Sequence, residues 1–195
     1  MPRLSPLDRG SLTGLAPMLE LVEASMGFVP NSLLTMARKP ALVEAFAGLS
    51  VAVMQNSLLP EGLSSLVAFM VSRSAGCQYC QAHTHHQAAR AGLPNEKLDD
   101  IWNYEQSPLF SEAERAALRV AQSAAVVPNA VTDEDFVELH KHFSEDQIVE
   151  IISVISFFGF LNRWNDTLAT PLEDAPRDHA QAHLSAQGWA AGKHG

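Results

Sequence analysis

Cys77, Cys80 and His83 stand at steps of three in the run Gly76-Cys-Gln-Tyr-Cys-Gln-Ala-His-Thr84, and the chain has no other cysteine. On a helix, residues three apart are neighbours, so Cys80 would be flanked by a second thiol and by an imidazole. Gly76 reads as the end of one helix, which places Cys77 at the N-terminus of the next, where unpaired backbone N–H groups favour a thiolate. A thiol with a pKa near 8.5 is only a few per cent ionised at neutral pH. Lowering it by two units takes about 2.7 kcal/mol, and a helix terminus supplies only about 0.3–1 kcal/mol. A histidine that accepts the proton makes up the difference, and His83 is spaced to do so.

These residue types suit two-electron thiol chemistry. In one order, the Cys80 thiolate attacks the distal oxygen of a peroxide and becomes a sulfenic acid, and Cys77 condenses with it to a disulfide that an external thiol or dithiol reduces. The reverse order is also open, because the more N-terminal thiol is the one the helix end favours. Two other readings compete. Cys-x-x-Cys-x-x-His carries zinc ligand types, but three ligands within seven residues of one helix make a cramped site with no second pair elsewhere. An inert reduced pair in the core is the other. His85 and His86 read as solvent-facing or interfacial, and His140 and His142 as an exposed helix end.

The elements that must position these residues are all helical. Spacing of i, i+3, i+4 recurs throughout and no run alternates as a strand would. Helices are expected over Leu15 to Met26, from Asn31 to about Arg38, from Ala41 to about Gln55, and from Pro60-Glu61 to near Gly76. Further helices are expected from Gln78 to about Ala91, over Glu96 to Asn103, from Ser111 to about Ala125, over Asp135 to His142 and from Glu145 to about Thr167. Ser111-Glu-Ala-Glu114 has the form of a capping box. The expectation is an all-α bundle of about eight or nine helices in a single domain, residues 1–173, followed by a loosely ordered tail, 174–195. Leu59-Pro-Glu61 and Phe143-Ser-Glu145 echo one another ahead of long helices, a pattern compatible with a duplicated helical hairpin.

Composition excludes several partners. The 195 residues carry 13 Lys and Arg against 22 Asp and Glu, a net charge of -9, with no basic cluster to bind nucleic acid. The longest apolar stretch, Ile151 to Leu161, is too short to cross a bilayer, and Met1 to Gly10 have no continuous apolar core of the kind a signal peptide needs, so neither a membrane span nor a signal peptide is expected. A cytoplasmic protein is expected. The helix from Ile148 to Leu161 is apolar on most sides, with Phe157, Phe158, Phe160 and Trp164 adding aromatic surface, so it must be buried centrally or against another copy of the chain.

The motif around the two cysteines resembles the core of the AhpD-like, carboxymuconolactone decarboxylase superfamily. Gly27-Phe-Val-Pro-Asn31 and Arg38-Lys-Pro-Ala41 resemble the N-terminal region of its peroxidase-related members. Phe110 to Leu118, Val131 to Phe136 and Phe160-Leu-Asn-Arg163 are similar to their C-terminal half. The resemblance implies an all-helical fold, assembly into dimers, trimers or hexamers, and alkylhydroperoxidase activity of the cysteine pair with a peroxide substrate, an external thiol reductant, no resident cofactor and no metal. Decarboxylases of the same fold lack the pair, so a non-redox decarboxylase or lactonase, or an oligomeric binding protein with a relic or metal-binding site, is the alternative. The family's relay glutamate, twelve residues before the first cysteine, is Ser65 here, with Glu61 the nearest upstream acid. Its relay histidine, four residues after the second cysteine, is Thr84, which leaves His83 as the substitute. Asn162, Arg163 and Trp164 are pocket candidates, against the plainer reading of an ion pair to Asp166 or Glu173, and Trp102, Tyr104 and Glu105 are weaker ones.

Overall fold

Apolar stripes at helical spacing, cut by glycine, proline and hydroxyl caps, divide the chain into ten α-helices in a computed structural model that describes residues 1–195. They are α1 (Ala16–Met26), α2 (Asn31–Met36), α3 (Pro40–Met54), α4 (Leu63–Ser74), α5 (Gln78–Arg90), α6 (Asn95–Asp99), α7 (Glu112–Ala125), α8 (Asp133–Leu139), α9 (Glu145–Leu168) and α10 (Asp174–Leu184). There is no strand, as the periodicity implies. Ser111, Thr132 and Ser144 each form a full capping box at the start of α7, α8 and α9. Such a cap contributes about 1 kcal/mol to its helix.

The core is built around α4, which packs against α5, α7 and α9. Its Leu66, Val67, Phe69, Met70 and Val71 are almost wholly enclosed, and each large side chain removed from water contributes roughly 1.5–3 kcal/mol. A smaller cluster of Leu15, Leu19, Leu33, Met36 and Val43 joins α1, α2 and α3. Gly27 ends α1 at φ 85°, and a side chain there would meet the Arg90 guanidinium, which donates to the Met26 carbonyl at 2.7 Å. The last turn of α1 is thereby fastened to the end of α5.

Several boundaries differ from the sequence pattern. α4 begins at Leu63 rather than at Pro60-Glu61, because Gly62 takes φ 80° and delays the first turn. α9 instead starts on a serine capping box, so the echo between the two segments does not extend to how the helices begin. Glu96 to Asn103 divides into α6 and a 3₁₀ turn, and α8 stops at Leu139 instead of reaching His142.

The main correction concerns residues 174–195, expected as a loose tail. They form α10 and two short 3₁₀ turns that pack along α5. Pro176, Ala180 and Leu184 recur every four residues and are buried, a stripe obscured by the charged and histidine residues between them. The Trp189 indole donates to the Gln78 carbonyl at 3.2 Å, and His194 is 1% exposed.

The α5–α10 seam also corrects the expectation that His85 is solvent-facing or interfacial, because a helix of the same chain covers it. His85 is fully buried, with Nδ1 2.8 Å from His179 Nε2 and Nε2 2.9 Å from Asp99 Oδ1. Burial, followed by the neighbouring His183, lowers His179 to about 4, and burial lowers His85 to about 4 against the pull of Asp99. The unfolded chain takes up these protons near 6.5, whereas the folded chain refuses them until about 4. Stability is therefore complete above pH 6.5 and falls as pH drops toward 4, by about 3 kcal/mol for His85 alone. Urea midpoints at pH 7.5 and pH 4.5 measure the fall, and a midpoint that stays flat across the interval contradicts it.

Candidate functional site

Gly76 takes φ 74° after the last turn of α4, a conformation glycine adopts without steric cost, and this turn delivers Cys77 as the N-cap of α5. Cys77 Sγ accepts the Cys80 backbone N–H at 3.4 Å, in place of the usual hydroxyl or carboxylate cap. Cys80 lies one turn on, where the Asn165 side-chain amide of α9 donates to its sulfur at 3.6 Å. Both sulfurs are free, with Cys77 completely enclosed and Cys80 3% exposed.

The environment separates the two thiols. Hydrogen bonding from the Cys80 side chain is the main influence holding Cys77 below its ordinary value, and it outweighs burial with help from the Cys80 N–H. Burial pushes Cys80 well above its ordinary value, and donation to the Cys77 sulfur adds to the rise. Cys77 is the thiolate-prone member, and Cys80 keeps its proton.

His83 sits one turn beyond Cys80, as its spacing requires, but its Nε2 is 2.5 Å from Glu173 Oε2 and hydrogen-bonds to neither sulfur. Its ring stacks on Tyr79 at 4.2 Å and meets the edge of Phe28. Glu173 also accepts from the Tyr79 hydroxyl at 2.9 Å and from the Asn31 backbone N–H. Burial pushes the Glu173 carboxyl up, but the His83 charge and the hydrogen bonds from His83 and the Asn31 N–H bring it below its ordinary value. His83 is thus half of a buried structural pair rather than the neighbour of a thiol.

The remaining sequence candidates divide. Thr84 is buried, but its hydroxyl donates to the Cys80 and Gln81 carbonyls. Glu61 is exposed before α4 and Ser65 lies in its first turn, roughly 14 Å of helix from the end that carries Cys77. Asn162 is 3% exposed, one turn before Asn165, and neither atom of its amide has a hydrogen-bond partner. Trp164 is half-buried, stacked on Phe160. Arg163 is exposed, and the ion pairs to Asp166 or Glu173 do not form: Asp166 pairs with Lys193 and Glu173 with His83. Trp102, Tyr104 and Glu105 are engaged elsewhere, with Arg73, Gln122 and Arg119 respectively.

The sequence pattern offers Asp166 and Glu173 only as ion-pair partners for Arg163 and gives no role to Asn165 or His194. A ring nitrogen of His194, a carboxylate oxygen of Asp166 and Cys77 Sγ all lie within 4.8 Å of one another. A cleft of about 200 Å³ lined by Arg73, Gln78, Gln81, Trp102 and Trp189 opens over the start of α5. A larger recess of about 390 Å³ is lined by Glu96, Asp99, Asp100 and Leu109 and involves neither thiol.

Similarity to known proteins identifies the family. The family model for carboxymuconolactone decarboxylases matches residues 40–123. The debrominase Bmp8 is 36% identical with a TM-score of 0.84, over 90% of this chain and 94% of that one. Its C82A variant, solved with 2,3,4-tribromopyrrole, superposes with a TM-score of 0.86 at 35% identity, over 92% and 96% of the two chains. A peroxidase-related protein from Ralstonia eutropha JMP134 shares the fold at 24% identity and a TM-score of 0.79, covering 90% of this chain and 94% of that one. The YnjA protein of Escherichia coli K12 is 29% identical over 119 residues, 61% of this chain and 65% of YnjA, so the match spans just under two thirds of that relative. With its ten helices, its Cys-x-x-Cys pair at the start of α5 and these relatives, the chain belongs to the AhpD-like, carboxymuconolactone decarboxylase superfamily.

Proposed function

We propose that the chain is a thiol-dependent hydroperoxidase in which Cys77 attacks and Cys80 resolves. The observation that carries this is the Cys77 sulfur at the N-cap of α5, accepting the Cys80 N–H and held below its ordinary value. The Cys77 thiolate attacks the distal oxygen of a hydroperoxide, the O–O bond breaks, and an alkoxide leaves and takes up a proton. The Cys80 thiol then displaces hydroxide from the Cys77 sulfenic acid, giving a disulfide and water. An external thiol or dithiol returns both electrons by exchange, so the cycle uses no resident metal or organic cofactor. A free dithiol of this kind suits a reducing compartment such as the cytoplasm.

The similarity to Bmp8 favours a second electrophile. In reductive debromination the same two thiols would convert an aryl bromide to the arene, releasing bromide and a proton and ending as the same disulfide. Both reactions consume the pair, so the substrate separates them. The test is the rate of thiol loss with hydrogen peroxide, an organic hydroperoxide and a bromopyrrole, in the wild type and in Cys77→Ser/Cys80→Ser. Fast, dithiol-reversible loss with a hydroperoxide supports the first reading, and bromide release matched to disulfide supports the second. An activity that survives in the double variant overturns both in favour of a non-redox enzyme.

The reading includes a homo-oligomer. α3 leaves Leu49, Val51 and Met54 exposed, and Phe160 of the adjoining α9 is 40% exposed. Phe46 of α3 stacks on Phe157 and lies tilted against Phe160, so the two helices present one apolar face suited to a second copy. Light scattering at micromolar protein should give at least twice 21.2 kDa, and Leu49→Glu should lower it. A wild-type mass of one chain contradicts the assembly.

A further inference from the structure

We infer that His194, carried back to the thiols by the C-terminal segment, is the proton acceptor for Cys77. This rests on Cys77 being the reactive sulfur. Three observations converge on the ring. Its Nδ1 is 2.8 Å from the Thr170 carbonyl, and only an N–H can satisfy that acceptor, so the neutral ring carries its lone pair on Nε2. Nε2 has no hydrogen-bond partner although His194 is 1% exposed. An acceptor buried this deeply without a donor costs free energy, and a proton-accepting role accounts for its retention. Finally, Nε2 faces Asp166 Oδ1 at 3.7 Å, and a ring nitrogen of His194, an Asp166 carboxylate oxygen and Cys77 Sγ all lie within 4.8 Å of one another, a gap that one side-chain adjustment or a bridging water spans.

The fold fixes this approach. α9 ends on Ala169 in the left-handed region at φ 49°, which turns Thr170 toward the ring. The His194 carbonyl accepts the Leu172 N–H at 2.8 Å, and the Trp189 indole holds the same segment on Gln78, next to Cys77. The groups that face the ring are Asp166 from α9, Lys193 from its own turn, and Cys77 and Tyr79 from the start of α5. Lys193 Nζ is 2.8 Å from Asp166 Oδ2, so the carboxylate is partly neutralised before the imidazole charges.

The step balances as a proton transfer. The Cys77 S–H bond breaks, its proton bonds to Nε2, and the resulting imidazolium lies between the thiolate and the Asp166 carboxylate. After the sulfur attacks, the same proton passes to the leaving alkoxide and restores the neutral ring.

The test uses alkylation by iodoacetamide, which needs no peroxide and so separates this inference from the hydroperoxidase reading. In a Cys80→Ser background, the pH profile of Cys77 alkylation is compared with and without His194→Gln. The expected result is a slower reaction by about tenfold at pH 7, with the two profiles meeting above pH 10, where the thiol ionises unaided. A purely structural role would shift the rate by the same factor at every pH, and that result, or unchanged profiles, overturns the inference. A second readout does not depend on the variant's folding. By NMR, the His194 ring should titrate at higher pH with Cys77 present than in Cys77→Ser, because the thiolate stabilises its charge. Equal titration overturns the proposal, as does bound zinc whose removal by chelator is needed before the thiol reacts, since that would make the three residues a metal site.

Discussion

Cys77→Ser should abolish turnover with hydroperoxide, by at least about 10³-fold, and leave Cys80 reacting no faster than an ordinary buried thiol. Cys80 carries the burial and the hydrogen-bond donation that keep its proton in place, so it cannot take over the attack. Cys80→Ser should stop turnover as completely but at a later point. Cys77 is still oxidised once, and the sulfenic acid, now without a neighbour to condense with, accumulates and is trapped by a dimedone-type reagent. Stopped-flow thiol loss together with trapping distinguishes the two variants. The opposite pattern, with sulfenic acid accumulating in Cys77→Ser and none in Cys80→Ser, would make Cys80 the attacking residue.

Glu173→Ala should cost about 3–5 kcal/mol of stability, the largest loss expected away from the apolar core. The carboxylate connects the start of α2 through the Asn31 N–H to two side chains of α5, Tyr79 and His83. Truncation leaves a phenol and an imidazole buried without their partner, and each unsatisfied group carries its own desolvation cost. Glu173→Gln keeps one acceptor and one donor in place and should lose about 1–2 kcal/mol. Urea unfolding at pH 7 measures both. If Glu173→Ala unfolds at the wild-type midpoint, the Glu173–His83 pair is not structural, and His83 returns as a candidate for direct work on Cys80.

Helices and their caps were legible in the sequence wherever the signal was local. Ser111 and Glu114 announce their capping box, and Gly76 announces the turn that makes Cys77 an N-cap. The Cys-x-x-Cys pair was legible as chemistry for the same reason, since spacing alone sets neighbours on a helix. Partners that arrive from distant parts of the chain left no such mark. His83 is spaced to serve Cys80, yet its ring is claimed by Glu173, ninety positions away. Asn165 and Asp166 reach the thiols because α9 lies against α5, and His194 does so because α10 folds back along the same helix. The polar composition of residues 174–195 suggests a solvated tail, but four-residue spacing of Pro176, Ala180 and Leu184 was enough to bury one side of α10. The burial of His85 is unmarked in the sequence for the same reason, since α10 is the helix that covers it.

The most direct measurement is the intact mass of the wild-type protein after reaction with one equivalent of an organic hydroperoxide. The expected product is lighter by two hydrogen atoms, forms faster than a free thiol is oxidised, maps to a Cys77–Cys80 disulfide and returns to the starting mass with a dithiol. A mass that does not change on that timescale, or one that gains oxygen without losing hydrogen, would contradict a dithiol–disulfide cycle as the work of this site.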